Sequence, residues 1–456
     1  MLILLLDEDQ LNGTVESADL ELTQQTEQSL STFQIICGGW NICNNWAGVV
    51  GTLAIATLAE LTSVYPTTGG QYHWTSILSP EKYSRVLSYC CGAINIFSWV
   101  SISAGVTIFP AKFITSMMLY RNPGYKSRTW CSFLIYQFAN TVILLYNIFT
   151  VKRTSWIHDA VFIVSISSFV GILITCLARA PRMQTSESVW TTSINQTGWK
   201  SDGVAFLTGM INPSYVFAGI DGAIYLAEEC GNANTAVPHA LMSTLAIEFP
   251  TSFAFAVAML YCITDIEALI HTATGVPIYE IWIQAARSDV ATTAFVCLLA
   301  VIAFFTLNGC QQTSSRLTWV FARDDALVSS KFLGIIHANL QVPVYALCAN
   351  SAVIPVMVLP QVSFCFPAAL LLYRRRSATY LPSSRFFNPG TLGWVSNIVT
   401  VVFGLLTLIF YNFPSKVPVN DYANVVIGVM TVFALFNWFV HANKKYQGPR
   451  LPTDRN

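Results

Sequence analysis

Between Asn212 and Glu229 the sequence sets Pro213, Gly219, Asp221 and Gly222 into a stretch that is otherwise apolar. A helix that only had to sit in lipid would gain nothing from two glycines flanking a carboxylate. Helix breakers at membrane depth are tolerated where the backbone is buried in protein or lines a wet cavity. A broken helix with free backbone groups is a pointer to a midplane binding site for a carried solute. The chemistry on offer is non-covalent. Free N–H groups and the positive end of the second half-helix suit a substrate carboxylate. Asp221 suits a substrate amine or a coupling proton. It has a second reading, as a short side chain that satisfies free N–H groups where the second half-helix begins.

Other polar residues sit in apolar runs. Asn41, Asn44 and Asn45 have the three- and four-residue spacings that share a helix face, so they could face the same cavity or bond between helices. Trp99 and Ser103 lie one turn apart and could line the pocket or pack in the core. Glu60 and the Glu228-Glu229 pair lie near span ends, where a cytoplasmic gate or a bridge to Arg316 or Arg323 competes with a plainly solvated position.

Several chemistries are excluded or unsupported. An intramembrane aspartyl protease needs Gly-x-Gly-Asp, whereas this chain reads Gly219-Ile-Asp-Gly222, with no evident second Asp in a span centre. There is no His-Glu-x-x-His, and the six histidines fall near span ends or in loops, so neither a metal nor a cofactor is expected. The twelve cysteines lie mostly in apolar runs with no Cys-x-x-Cys pair, which fits small side chains in helix interfaces. No filter-like loop argues for a channel. A net charge of zero gives no case for nucleic acid.

The elements that must position these residues are membrane spans. Hydrophobic residues make up 54% of the chain and charged residues 11%, against about 25% charged in soluble domains. Several runs exceed the roughly 20 apolar residues that cross a bilayer. After an acidic tail over 1–32, which suits disorder, an apolar run covers 33–65. Further spans are expected near 86–118, 129–149, 156–178, 204–228, 241–263 and 290–310. A proline-interrupted run follows over 342–373, then spans near 393–413 and 422–441 and a polar tail over 442–456. The whole of 33–441 reads as one all-α polytopic membrane domain.

Counting Lys and Arg assigns sides. Loops with Lys152-Arg153, with Arg316, Arg323 and Lys331, with Arg374-Arg375-Arg376, and with Lys444-Lys445 read as cytoplasmic. Those at 264–289 and 414–421 read as external, and the sequon at Asn195 falls in a loop on the external side, a glycosylation candidate. The loop at 121–128, with Arg121, Lys126 and Arg128, disagrees. Both flanks of 342–373 want the cytoplasm, yet two full crossings need about 40 residues. That run is either one long crossing or a cramped hairpin.

The phrase Leu58-Ala-Glu-Leu-Thr-Ser-Val-Tyr-Pro-Thr-Thr-Gly-Gly-Gln-Tyr-His-Trp74 resembles the segment after the second span of fungal amino acid, GABA and choline permeases, in the amino acid–polyamine–organocation superfamily. Gly198-Trp through Glu229 to Val237-Pro238 is similar to the same family, as are Gln311 to Asp324 and Phe387-Asn-Pro-Gly-Thr-Leu-Gly393 through Lys445-Tyr-Gln-Gly-Pro449. The resemblance implies a LeuT-type bundle of two five-span inverted repeats within twelve spans, with broken first and sixth helices. It implies alternating access, a small amine or amino acid substrate and a proton as coupling ion, in the plasma or vacuolar membrane. The first broken helix then corresponds to Ile42-Cys-Asn-Asn-Trp46. The sixth corresponds to Phe217-Ala-Gly-Ile-Asp-Gly222, which adds Trp46, Phe217, Ala218 and Ile220 to the candidate contacts.

The chain departs from that pattern twice. Trp46-Ala-Gly reaches Ala59-Glu60 in about a dozen residues, where the family inserts the end of one span, a loop and the start of the next. The same shortening falls between Asn350 and Gln361, so about ten apolar runs replace twelve. Two internal deletions, as a skipped exon would leave, account for both. They also open a second reading, a transport-inactive or regulatory membrane protein.

Overall fold

The computed structural model describes residues 52–122, 124–125, 128–150, 156–191, 200–201, 204, 219–270, 272, 274–354, 363–410 and 423–449. Outside them lie Asn41, Asn44, Asn45, Trp46, Asn195, Phe217 and Ala218, the acidic tail and much of the first apolar run.

Two long helices form the axis of the bundle. Helix α3 spans Glu81–Arg121 and α8 spans Asp289–Arg323. At 1.5 Å per residue they measure about 60 and about 50 Å, against about 30 Å of hydrocarbon, so both continue beyond it. They run antiparallel. Arg121 donates to Thr293 at one end, and Gly92 lies against Phe321 toward the other. Close approach there needs the glycine, because a Cβ at Gly92 would sit 2.3 Å from Phe321 Cε2.

Around this pair stand α1 (Thr52–Val64), α2 (Gln71–Leu78), α4 (Thr129–Phe149), α5 (Trp156–Arg179) and α6 (Ala233–Cys262). Later come α7 (Pro277–Ala286), α9 (Val344–Val353), α10 (Cys365–Tyr373), α11 (Leu392–Phe410) and α12 (Ala423–Asn437). Among the described residues five helices are long and apolar enough to cross a membrane: α3, α4, α5, α6 and α8. Large apolar side chains point outward on the rim, including Phe138, Ile174, Val432 and Phe436, each at least 60% exposed. A soluble bundle would bury such groups; a bilayer solvates them. This is an integral, multi-pass, all-α membrane protein.

The two ends of the bundle are distinct. At one end Arg374 donates to the carbonyls of Leu78 and Ser79, Tyr72 OH donates to Asp324 Oδ2 at 2.8 Å, and Ser88 shares a 2.7 Å bond with Tyr446. Burial pushes the Tyr446 phenol well above its usual range, so it stays neutral as a partner for Ser88. At the other end Tyr120 donates to Asp289 at 2.6 Å and Gln184 bonds the chain end of α6. Arg121, whose loop broke the basic-side count, sits at this second end beside Thr293.

Within the run 342–373 two short helices are described, α9 and α10, and their outer ends stand at the first of these two ends of the bundle. Helix α9 starts beside Phe332, on the segment after α8, and ends where Tyr136 OH donates to Ile354 O at 3.1 Å and to Ala104 O at 3.4 Å. The chain is next described at Ser363, which donates to Asn95 Oδ1, and α10 returns to Arg374 against Leu78. Helices of ten and nine residues reach about 15 Å each, half a bilayer. Amides replace apolar packing where this short pair meets the long helices. Gln311 Nε2 donates to Asn140 Oδ1 at 2.8 Å, Ser351 donates to the same oxygen, and Thr318 bonds Asn350.

Candidate substrate site

Within the stretch 212–229 the described residues begin at Gly219, whose φ of 98° lies in a region that side-chain-bearing residues rarely adopt. From it runs a 3-10 helix, Ile220–Glu229, opened by a Gly222 N–H to Gly219 carbonyl bond of 2.8 Å. Runs of this pitch beyond three or four residues are uncommon and mark strained or functional segments. Here the packing that sustains it is apolar. Ile220, Ala223, Ile224 and Ala227 bury against Ile55, Leu58 and Ala59 of α1 and against Leu241 of α6.

Asp221 is 2% exposed and faces a ring of donors. Its Oδ2 accepts from Gln71 Nε2 at 2.7 Å and from Trp99 Nε1 at 3.3 Å, and lies 2.8 Å from Tyr225 OH. Tyr225 also lies 2.5 Å from Gln71 Oε1 and accepts from Asn95 Nδ2 at 2.7 Å. The phenol has one proton for two acceptors, so Asp221 and Gln71 share a single donor. The carboxylate thus joins α2, α3 and the 3-10 helix through side chains, which goes beyond local support of backbone N–H groups.

Trp99 meets Asp221, as a pocket residue would, while Ser103 turns back to donate to the Trp99 carbonyl at 2.9 Å. Gln71, Asn95 and Tyr225 were not singled out from the sequence. Tyr225 had a signal, four residues after Asp221 on one helical face. Gln71 stood inside the quoted Gly-Gly-Gln motif, and Asn95 was a lone amide in an apolar run. On α8, Asn308 is 1% exposed, and neither its amide oxygen nor its nitrogen has a partner among the described residues. On α3, Ser101 Oγ is likewise buried and unpartnered. Buried groups of this kind are rare unless something else fills them.

The gate reading needs correcting. Glu60 is fully buried, not solvated, and its partners are neither Arg316 nor Arg323. Its Oε1 accepts from Arg376 Nη2 and, at 2.9 Å, from Arg385 Nη2. Arg316 donates to Gln312 at 3.2 Å and Arg323 lies over the Trp319 ring at 4.8 Å, and both make further interactions. Glu228 and Glu229 close the 3-10 helix, with side chains outside the described residues.

A lipid-facing rim, and a buried polar cluster around Asp221 beside a left-handed glycine and an overlong 3-10 helix, fit a membrane transporter. The chain belongs to the amino acid permease family, whose sequence pattern matches residues 38–436. It is 29% identical to a choline transporter of Saccharomyces cerevisiae, over 97% of this chain and 86% of the relative. It is 27% identical to a swainsonine transporter of Arthroderma benhamiae, over 96% and 95% of the two chains. With amino-acid permease 2 of Neurospora crassa it shares 23% identity, over 90% and 80%. The alignment with the choline transporter extends over 490 residues, more than the 456 of this chain, so that relative holds internal segments missing here.

Proposed function

We propose that the chain is a secondary active transporter that carries a small zwitterionic or cationic amine, such as choline, GABA or an amino acid. It moves that solute, coupled to protons, by alternating access around the Gly219 break. The observation that carries this reading is the buried Asp221 beside a left-handed glycine and an overlong 3-10 helix. A carboxylate at that depth attracts an ammonium group, and the backbone freed at the break serves the substrate's other end. The relatives named for choline, swainsonine and amino acids support the solute class.

The test is uptake into proteoliposomes of labelled choline, GABA and amino acids, with and without a pH gradient. Saturable uptake of one of them, increased by the gradient, is the expected result. No saturable uptake of any, despite correct insertion, would remove the reading. One observation favours the rival, a transport-inactive or regulatory membrane protein: α9 and α10 have ten and nine residues, each about half the length that crosses a bilayer. That rival predicts stable insertion with no exchange of any solute.

A further inference from the structure

Glu248 stands in the middle of α6, in the sequence Leu245-Ala-Ile-Glu248-Phe-Pro250. It is 2% exposed, and neither Oε1 nor Oε2 has a hydrogen-bond partner. It separates two apolar zones. Leu241 and Leu245 pack on α1 and the 3-10 helix, and Phe255 and Ala258 pack on α5 and α7. The titratable groups on the elements packed against α6 are accounted for. Glu60 on α1 is held by Arg376 and Arg385, and Asp221 and Tyr225 by Gln71, Trp99 and Asn95. His158, Asp159, Cys176 and Arg179 on α5, Glu187 in the turn Ser186–Thr191, and Tyr279, Glu280 and Arg287 at α7 make no bond to it; Glu228 and Glu229 have undescribed side chains.

Ionised, this carboxyl would be a charge without a donor inside a span, so the arrangement suits the neutral acid. The contrast with Asp221, which three donors surround, separates the roles of two buried acids. The backbone beside Glu248 is also open to change. Pro250 lacks an N–H and so removes one ladder bond, and Thr251 Oγ1 caps the carbonyls of Ile247 and Glu248 at 2.7 and 3.1 Å.

We propose that Glu248 is a proton-binding site of the transport cycle, loaded in the arrangement described here and emptied when the other arrangement admits water to α6. The O–H bond breaks, the proton leaves on water as hydronium, the carboxylate keeps the electron pair, and a hydronium on the opposite side returns a proton to it and is left as water. The proposal rests on the reading of the chain as a proton-coupled transporter.

The full chain is reconstituted as wild type, Glu248→Gln and Glu248→Asp, with labelled choline, GABA and amino acids as probes. Gln mimics the protonated acid in shape and charge. It is expected to keep solute counterflow and lose accumulation driven by a pH gradient. A gradient of one unit drives about tenfold accumulation at one proton per solute. Asp is expected to keep part of that accumulation. The infrared band of a protonated carboxyl at neutral pH should be present in wild type and absent in Gln. PH-driven accumulation by Gln equal to wild type, or no difference in that band, would overturn the proposal. Wild-type counterflow without any pH-driven accumulation removes the coupling reading itself, and this role falls with it.

Discussion

Arg385 Nη2 donates to Glu60 Oε1 at 2.9 Å, and the glutamate is wholly buried. Arg376 converges on the same oxygen and also donates to the Gly393 carbonyl at 3.2 Å. One carboxylate therefore ties α1 to the segment that follows α10 and to the start of α11. Thr57, one turn before Glu60, adds bonds to Ser396 and Asn397 of α11 at 2.8 and 2.7 Å.

Removing one partner of a buried pair strands the other charge, at about 3–5 kcal/mol. Glu60→Gln is expected to lower the thermal transition of the detergent-purified protein well below that of Arg121→Gln, whose side chain is exposed. Equal losses in the two variants would contradict the observed pairing.

Gly219→Leu places a branched side chain at a φ of 98°. The strain is on the order of 1–3 kcal/mol, and relief requires moving the break itself. Insertion into the membrane should be unaffected while uptake of every probe is lost. Full uptake by this variant would show that the break is not at the site.

Gly92→Val drives a side chain into Phe321, where even a Cβ would lie 2.3 Å from the ring. Overpacking at the α3–α8 contact should cost about 1–3 kcal/mol. Adding Phe321→Ala should recover part of that loss, because neighbouring substitutions couple. Thermal denaturation of the two single variants and the double variant measures the coupling; simple additivity would argue against the contact.

Long apolar runs were the legible part of this fold, and α3, α4 and α5 fall within a few residues of the spans expected for them. Helix α8 was expected to end near 310 yet continues to Arg323. Its polar segment after Cys310 stays helical because Gln311 and Thr318 find amide and hydroxyl partners on α4 and α9. Helix α6 begins at Ala233, ahead of the expected 241, with Pro238 inside its first two turns. The special backbone at Gly219 was legible from the glycine, but the pitch of the segment after it was not, since a 3-10 helix is chosen by packing against α1 and α6. The partners of Glu60 were illegible for a different reason. Charge type says that a buried acid needs a base, while more than 300 residues separate it from Arg376 and Arg385. Glu248 was not singled out from the sequence, where it is one acid inside an expected span, and its weight comes from the absence of a hydrogen-bond partner among the described residues.

Helix α9 starts beside Phe332 and α10 ends with Arg374 bonded to the carbonyls of Leu78 and Ser79, so the outer ends of the two helices stand at the same end of the bundle. The chain after α10 therefore sets out from the end at which α9 began, and Arg376 and Arg385 need travel only a short way to meet Glu60.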